Sequence, residues 1–91
     1  MKYSGEIKMD RAASLSLDLE PAAIDILKEL NQSGGQSENA LAVKLNLTTD
    51  EIEYFLTVMK RNQMVSYDKN NQGKWRIRPD GINYLRDRNL A

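Results

Sequence analysis

The stretch Leu45-Asn-Leu-Thr-Thr-Asp-Glu-Ile-Glu-Tyr-Phe-Leu-Thr-Val-Met-Lys-Arg-Asn-Gln-Met-Val65 constrains the chain more than any other. Thr48 and Glu51 have the Thr-x-x-Glu spacing of a capping box, in which the hydroxyl accepts from a free helix N–H and the carboxylate reaches back to the cap. Ile52, Phe55, Leu56 and Met59 then recur at i, i+3, i+4 and i+7, one apolar stripe of a 3.6-residue period. A helix from Thr49 to about Asn62 follows, with one face buried and the other free to touch something else.

The segments before it have comparable punctuation. Pro21 suits a first helical turn, where its missing N–H costs nothing. Ala23, Ile24, Ile26, Leu27 and Leu30 give an apolar face, with Asp25, Lys28 and Glu29 outside it. Gly34-Gly35 supply a stop, so a first helix is predicted from Pro21 to Gln32. Ser37 caps a second, short helix whose buried side is Leu41, Ala42 and Leu45. Asn46 then turns the chain in a position where Asn tolerates positive φ.

After the third helix come two short alternating runs, Met64-Val-Ser-Tyr-Asp68 and Lys74-Trp-Arg-Ile-Arg78, around the Asn/Gly-rich Lys69-Asn-Asn-Gln-Gly73. This pattern predicts a β-hairpin with Val65, Tyr67, Trp75 and Ile77 facing the core and Lys74, Arg76 and Arg78 on the solvated face. Pro79 opens a last helix, with Asp80 near its positive end and Ile82 and Leu85 inward. Residues 1–19 form an N-terminal arm. Its alternating Ile7, Met9, Leu15, Leu17 and Leu19 favour short strands, with disorder of 1–12 as the alternative.

Ninety-one residues make one domain with a small core. There is no cysteine and no histidine, which removes disulfides, thiolate sites and the commonest general base and metal ligand. No phosphate-cradling glycine loop or metal-ligand spacing is found either, and Asp50, Glu51 and Glu53 cannot all share one helix face. Neither catalysis nor a cofactor nor a metal is expected. The lack of a leader or long apolar run predicts a soluble, cytoplasmic protein. Thirteen basic groups balance thirteen acidic ones, but unevenly. Residues 63–91 carry six cations against three carboxylates, a local +3, and residues 1–62 carry seven against ten, −3.

The order helix, helix, helix, hairpin, helix resembles the winged helix-turn-helix domain of prokaryotic DNA-binding regulators. The residues that carry it are Leu41-Ala42-x-x-Leu45-x-Leu47-Thr48, then Ile52, Leu56, Met59, Met64-Val65, and Trp75-Arg-Ile-Arg-Pro-Asp-Gly81-Ile-Asn-Tyr-Leu85. The resemblance covers residues 20–88 and implies an α+β, mostly helical fold. It would comprise a three-helix core, a β-hairpin wing and a C-terminal helix, spanning 20–91, with the arm able to add a strand. It implies a transcription regulator on double-stranded DNA, with helix 49–62 in the major groove and the wing on the backbone. The implied contacts are Ser37, Thr49, Tyr54 and Thr57 on the helical side and Lys69, Asn70, Asn71, Lys74 and Arg76 on the wing. It also implies a homodimer, for which residues 1–19 or the last helix (Ile82, Tyr84, Leu85, Leu90) are the candidate surfaces.

Helix 49–62 departs from that pattern. DNA readers favour donors where this chain has Asp50, Glu51 and Glu53. Capping accounts for Glu51 and the helix dipole for Asp50, while Glu53 has no such explanation. A carboxylate accepts from cytosine N4, so groove reading is weakened and not abolished. The alternative expectation is a winged-helix module without DNA binding, docking a protein partner through the acidic, Tyr54-bearing face of that helix.

Overall fold

A computed structural model describes residues 18–71 and 73–90 as an α+β domain of four helices and one antiparallel hairpin, mostly helical. The helices are α1 (Pro21–Ser33), α2 (Glu38–Leu45), α3 (Thr49–Arg61) and α4 (Pro79–Asp87). The strands β1 (Val65–Asp68) and β2 (Lys74–Ile77) stand between α3 and α4, joined through a 3₁₀ turn at Lys69–Asn71. The strand expected within residues 1–17 lies outside the described residues. Residues 18–20 are not in a strand.

The helix boundaries follow the local chemistry. Pro21 begins α1, and Gly34 ends it at φ 81°, its N–H donating to Leu30 O. The Ser37 side chain accepts from Ala40 N at 3.1 Å, capping α2. Asn46 takes the left-handed conformation at φ 56°, turning α2 into α3 within three residues. The capping box of α3 is complete: Glu51 N donates to Thr48 Oγ1 at 3.1 Å, and Thr48 N donates to Glu51 Oε1 at 2.9 Å. A second left-handed residue, Gln63 at φ 60°, turns α3 into β1, a position that the polar sequence there did not single out.

Helix α1 packs against every other helix and against β2. Ala23, Ile26, Leu27 and Leu30 from α1 meet Leu41, Ile52, Leu56, Met59, Met64, Val65 and Leu85 in one buried cluster. Small residues allow the close approaches. Ala42 is buried in the α2–α3 corner, and the backbone of Gly81 comes so near β1 and β2 that a Cβ there would stand 2.5 Å from Met64 O and 2.8 Å from Ile77 Cγ1.

The hairpin pairs Val65 with Ile77, Ser66 with Arg76, Tyr67 with Trp75 and Asp68 with Lys74. Beyond it, Gln36 bridges Trp75 as a one-residue third strand, each backbone N–H donating to the other's carbonyl. Two expected core positions are corrected. Tyr67 is 47 % exposed, because β1 is the outer strand while β2 is flanked by Gln36; Trp75 lies beside its ring at 5.1 Å between centroids and Gly73 lies against its hydroxyl. On α4 the deepest aromatic is Tyr84, 1 % exposed, while Ile82 is half-buried. Tyr84 belongs inside because its hydroxyl has a partner there, accepting from Leu19 N at 3.0 Å. Tyr84 and Leu85 are thus buried within their own chain, leaving half-buried Ile82 and Leu90 as the apolar groups of the last helix and its exit.

Candidate nucleic-acid interface

Two elements carry the candidate residues, and the fold treats them differently. On α3 the side facing away from the core is entirely polar or aromatic: Thr49, Asp50, Glu53, Tyr54, Thr57, Lys60 and Arg61 are all exposed. Asp50, Tyr54, Thr57 and Arg61 recur at i, i+4, i+7 and i+11, one outward line along the helix. Its charge is graded. Asp50 and Glu51 occupy the first turn, where the helix dipole favours anions, and Lys60 and Arg61 the last turn, where it favours cations. Glu51 is spent on the cap. Glu53 makes no ion pair among the described residues.

Tyr54 is 60 % exposed, with its ring edge-on to Phe55 at 5.3 Å and 70°. Phe55 and Val58, half-buried, separate that ring from the core. Ser37 is half-buried and its hydroxyl accepts from the helix it caps, so its first role is structural. Val43, 82 % exposed on α2, is the most exposed large apolar side chain among the described residues.

The hairpin brings the remaining candidates together. Lys69 and Asn70 are exposed in the 3₁₀ turn, which Asn71 closes. Arg76 is exposed on β2, its Cγ 3.3 Å from where a Cβ on Gly35 would stand, so its stem lies along the α1–α2 loop. Lys74 is half-buried rather than fully solvated. It lies directly opposite Asp68 in the ladder, yet no ion pair joins them; Asp68 Oδ1 instead accepts from Asn70 N at 3.0 Å, tightening the turn. Among the described residues, Lys69, Lys74 and Arg76 have no carboxylate within 4.0 Å; the two ion pairs found join Lys44 to Glu29 and Arg88 to Asp18.

Trp75 is inward and 7 % exposed, between these cations in sequence but not in space. Its indole N–H donates to Glu38 Oε2 at 3.3 Å, locking β2 near the turn of the hairpin to the first turn of α2. That lock, the Gln36 bridge, and the Glu29 carboxylate that accepts from both Lys44 (2.9 Å) and Gln36 (3.0 Å) were not legible beforehand. A lone Gln between two glycines and a serine looks like loop.

The described residues contain no group of three or more His, Cys, Asp or Glu able to hold a metal ion, and no helix long and apolar enough to cross a membrane. Comparison with protein-family models, with curated proteins and with solved structures gives no match.

Proposed function

We propose that this chain is a small DNA-binding domain of the winged helix-turn-helix type, a transcription regulator that uses α3 and the hairpin together. Thr49, Tyr54 and Thr57 of α3 enter the major groove, and Lys69, Lys74 and Arg76 of the hairpin grip the neighbouring phosphates with Asn70 and Asn71 at the tip. What supports the order of parts is the tight Asn46 turn between α2 and α3 and the Gln36 bridge that adds a short third strand to the hairpin. The observation that carries the reading is electrostatic. Three cations stand on one hairpin with none committed to a carboxylate among the described residues, although Asp68 faces Lys74 across the ladder. Cations of this kind release counterions when they meet phosphate, which supplies most of the affinity of a non-specific complex.

A gel shift with a random duplex at low salt tests this. The full chain is expected to shift it, and Lys74→Glu with Arg76→Glu to abolish the shift. A shift that survives both reversals shows that the hairpin is not the contact.

A second reading draws on α3 alone. Exposed Asp50, Glu51 and Glu53 beside a 60 % exposed Tyr54 suit a basic protein surface better than a polyanion. In that case the domain docks a partner through α3, and duplex fails to bind at any salt concentration.

A further inference from the structure

A shallow groove of about 190 Å³ runs between the chain entering α1 and the near flank of α3. Its floor is apolar: Ala23 is buried, and Leu19, Phe55 and Val58 are half-buried. Tyr54 forms one wall, and the exposed residues Asp18 and Glu20 form the opposite rim. The groove is thus an apolar slot with an acidic border, and no described side chain fills it.

The chain itself enters at this groove. Leu19 N donates to Tyr84 Oη at 3.0 Å, and Arg88 Nη2 donates to Asp18 Oδ1 at 3.4 Å, with the Arg88 guanidinium 4.1 Å over the Tyr84 ring. These contacts fasten residues 18 and 19 to α4 while Leu19 lines the slot. Seventeen residues precede Asp18, and among them Leu17 and Leu15 stand two and four positions before Leu19. In extended backbone, alternate side chains share one face and each residue advances about 3.3 Å. Continued from Leu19, such a chain sets Leu17 and Leu15 on the same side as Leu19, about 7 and 13 Å further along.

We infer that the groove is the docking site of this chain's own residues 15–17, with Leu15 and Leu17 lying against Phe55, Val58 and the Tyr54 ring. A second copy seated groove to groove would instead bring two Glu20-bearing acidic rims into one interface, and like charges brought together across an interface are costly. Tyr54 also belongs to the face proposed to meet a duplex, so the seated arm fixes how that ring is presented. The inference does not rest on DNA binding, because its test contains no nucleic acid.

The test is an NMR measurement on the full, isotope-labelled chain. Cross-relaxation is expected from the Leu15 and Leu17 methyls to the Phe55 ring and the Val58 methyls, unchanged on tenfold dilution. Leu15→Ser with Leu17→Ser is expected to shift the amides of Tyr54, Phe55 and Val58 and to leave those of Val65–Ile77 in place. Absence of those cross-peaks, or groove amides indifferent to the double substitution, overturns the inference. So do cross-peaks that arise only between labelled and unlabelled copies in a mixed sample, since the occupant is then a second molecule.

Discussion

Gln36 and Trp75 exchange both of their backbone hydrogen bonds, Gln36 N to Trp75 O at 3.0 Å and Trp75 N to Gln36 O at 2.7 Å. This single bridge ties the α1–α2 loop to the hairpin that carries the candidate phosphate contacts. The Trp75 indole reinforces it by donating to Glu38. Trp75→Ala removes a buried ring and this donor together, for a loss of about 3–5 kcal/mol, a large share of the 5–15 kcal/mol typical of a whole domain. Trp75→Phe keeps most of the packing and gives up the hydrogen bond, for about 1 kcal/mol. Urea unfolding followed by circular dichroism measures both, because Trp75 is the chain's only tryptophan and its fluorescence goes with it.

Gly81 permits α4 to cross the base of the hairpin. In an open helix, Gly→Ala gains about 1 kcal/mol from propensity alone. Here the new Cβ meets Met64 O at 2.5 Å, and that carbonyl cannot retreat freely because it already accepts from Arg78 N at 2.8 Å. Gly81→Ala is therefore expected to destabilise by about 1–3 kcal/mol despite the better helix former. A stabilised variant in the same denaturation assay contradicts that close approach.

The α3 cap has its own measurable share. Thr48→Ala deletes the hydroxyl that accepts from Glu51 N and donates to Glu51 Oε1, while the backbone N–H of residue 48 still donates to that carboxylate. A loss of about 1 kcal/mol is expected, with amide exchange accelerated first at Glu51 and Ile52.

Glu29 gives the fold a small acid sensitivity. Hydrogen bonds from Lys44, then Gln36, then Ser33 hold its carboxyl below the ordinary glutamate value of 4.5. A depressed carboxylate contributes stability that is fully present above its unfolded-state pKa and is lost as pH falls through the folded one. Glu29→Gln should thus lower the urea midpoint at pH 7 and match the parent once the parent's Glu29 is protonated in both its folded and unfolded states. Lys44 is half solvent-exposed, so the pH 7 difference is modest, about 0.2–1 kcal/mol. A difference that persists at about pH 2 assigns it to packing and not to charge.

Legibility in the sequence tracked how local each interaction is. The ends of α1, α2 and α3 and the left-handed Asn46 all depend on residues within a few positions of one another, and the pattern of Pro, Ser, Thr-x-x-Glu and Asn conveys them. Contacts between distant segments left no such mark. Nothing near Gln36 announces a strand bridge to Trp75, and nothing near Tyr84 announces that its hydroxyl accepts from Leu19. The alternation that placed Trp75 inward also placed Tyr67 inward, and there it failed, because period two assigns a face and says nothing of where the core ends. Among the candidate contacts, the exposure of Thr49, Tyr54 and Thr57 followed from the apolar stripe on the other side of α3. That Lys74 and Asp68 face each other without pairing required coordinates.

The role assigned to the hairpin cations is tested most directly by the salt dependence of duplex affinity, measured by fluorescence anisotropy on the parent and on Lys74→Gln with Arg76→Gln. Three or four cations meeting phosphates give a slope of log K against log salt of about −3 to −4. Removing two of them should flatten it by about 2 units. No binding at low salt, or an undiminished slope in the double variant, contradicts the account.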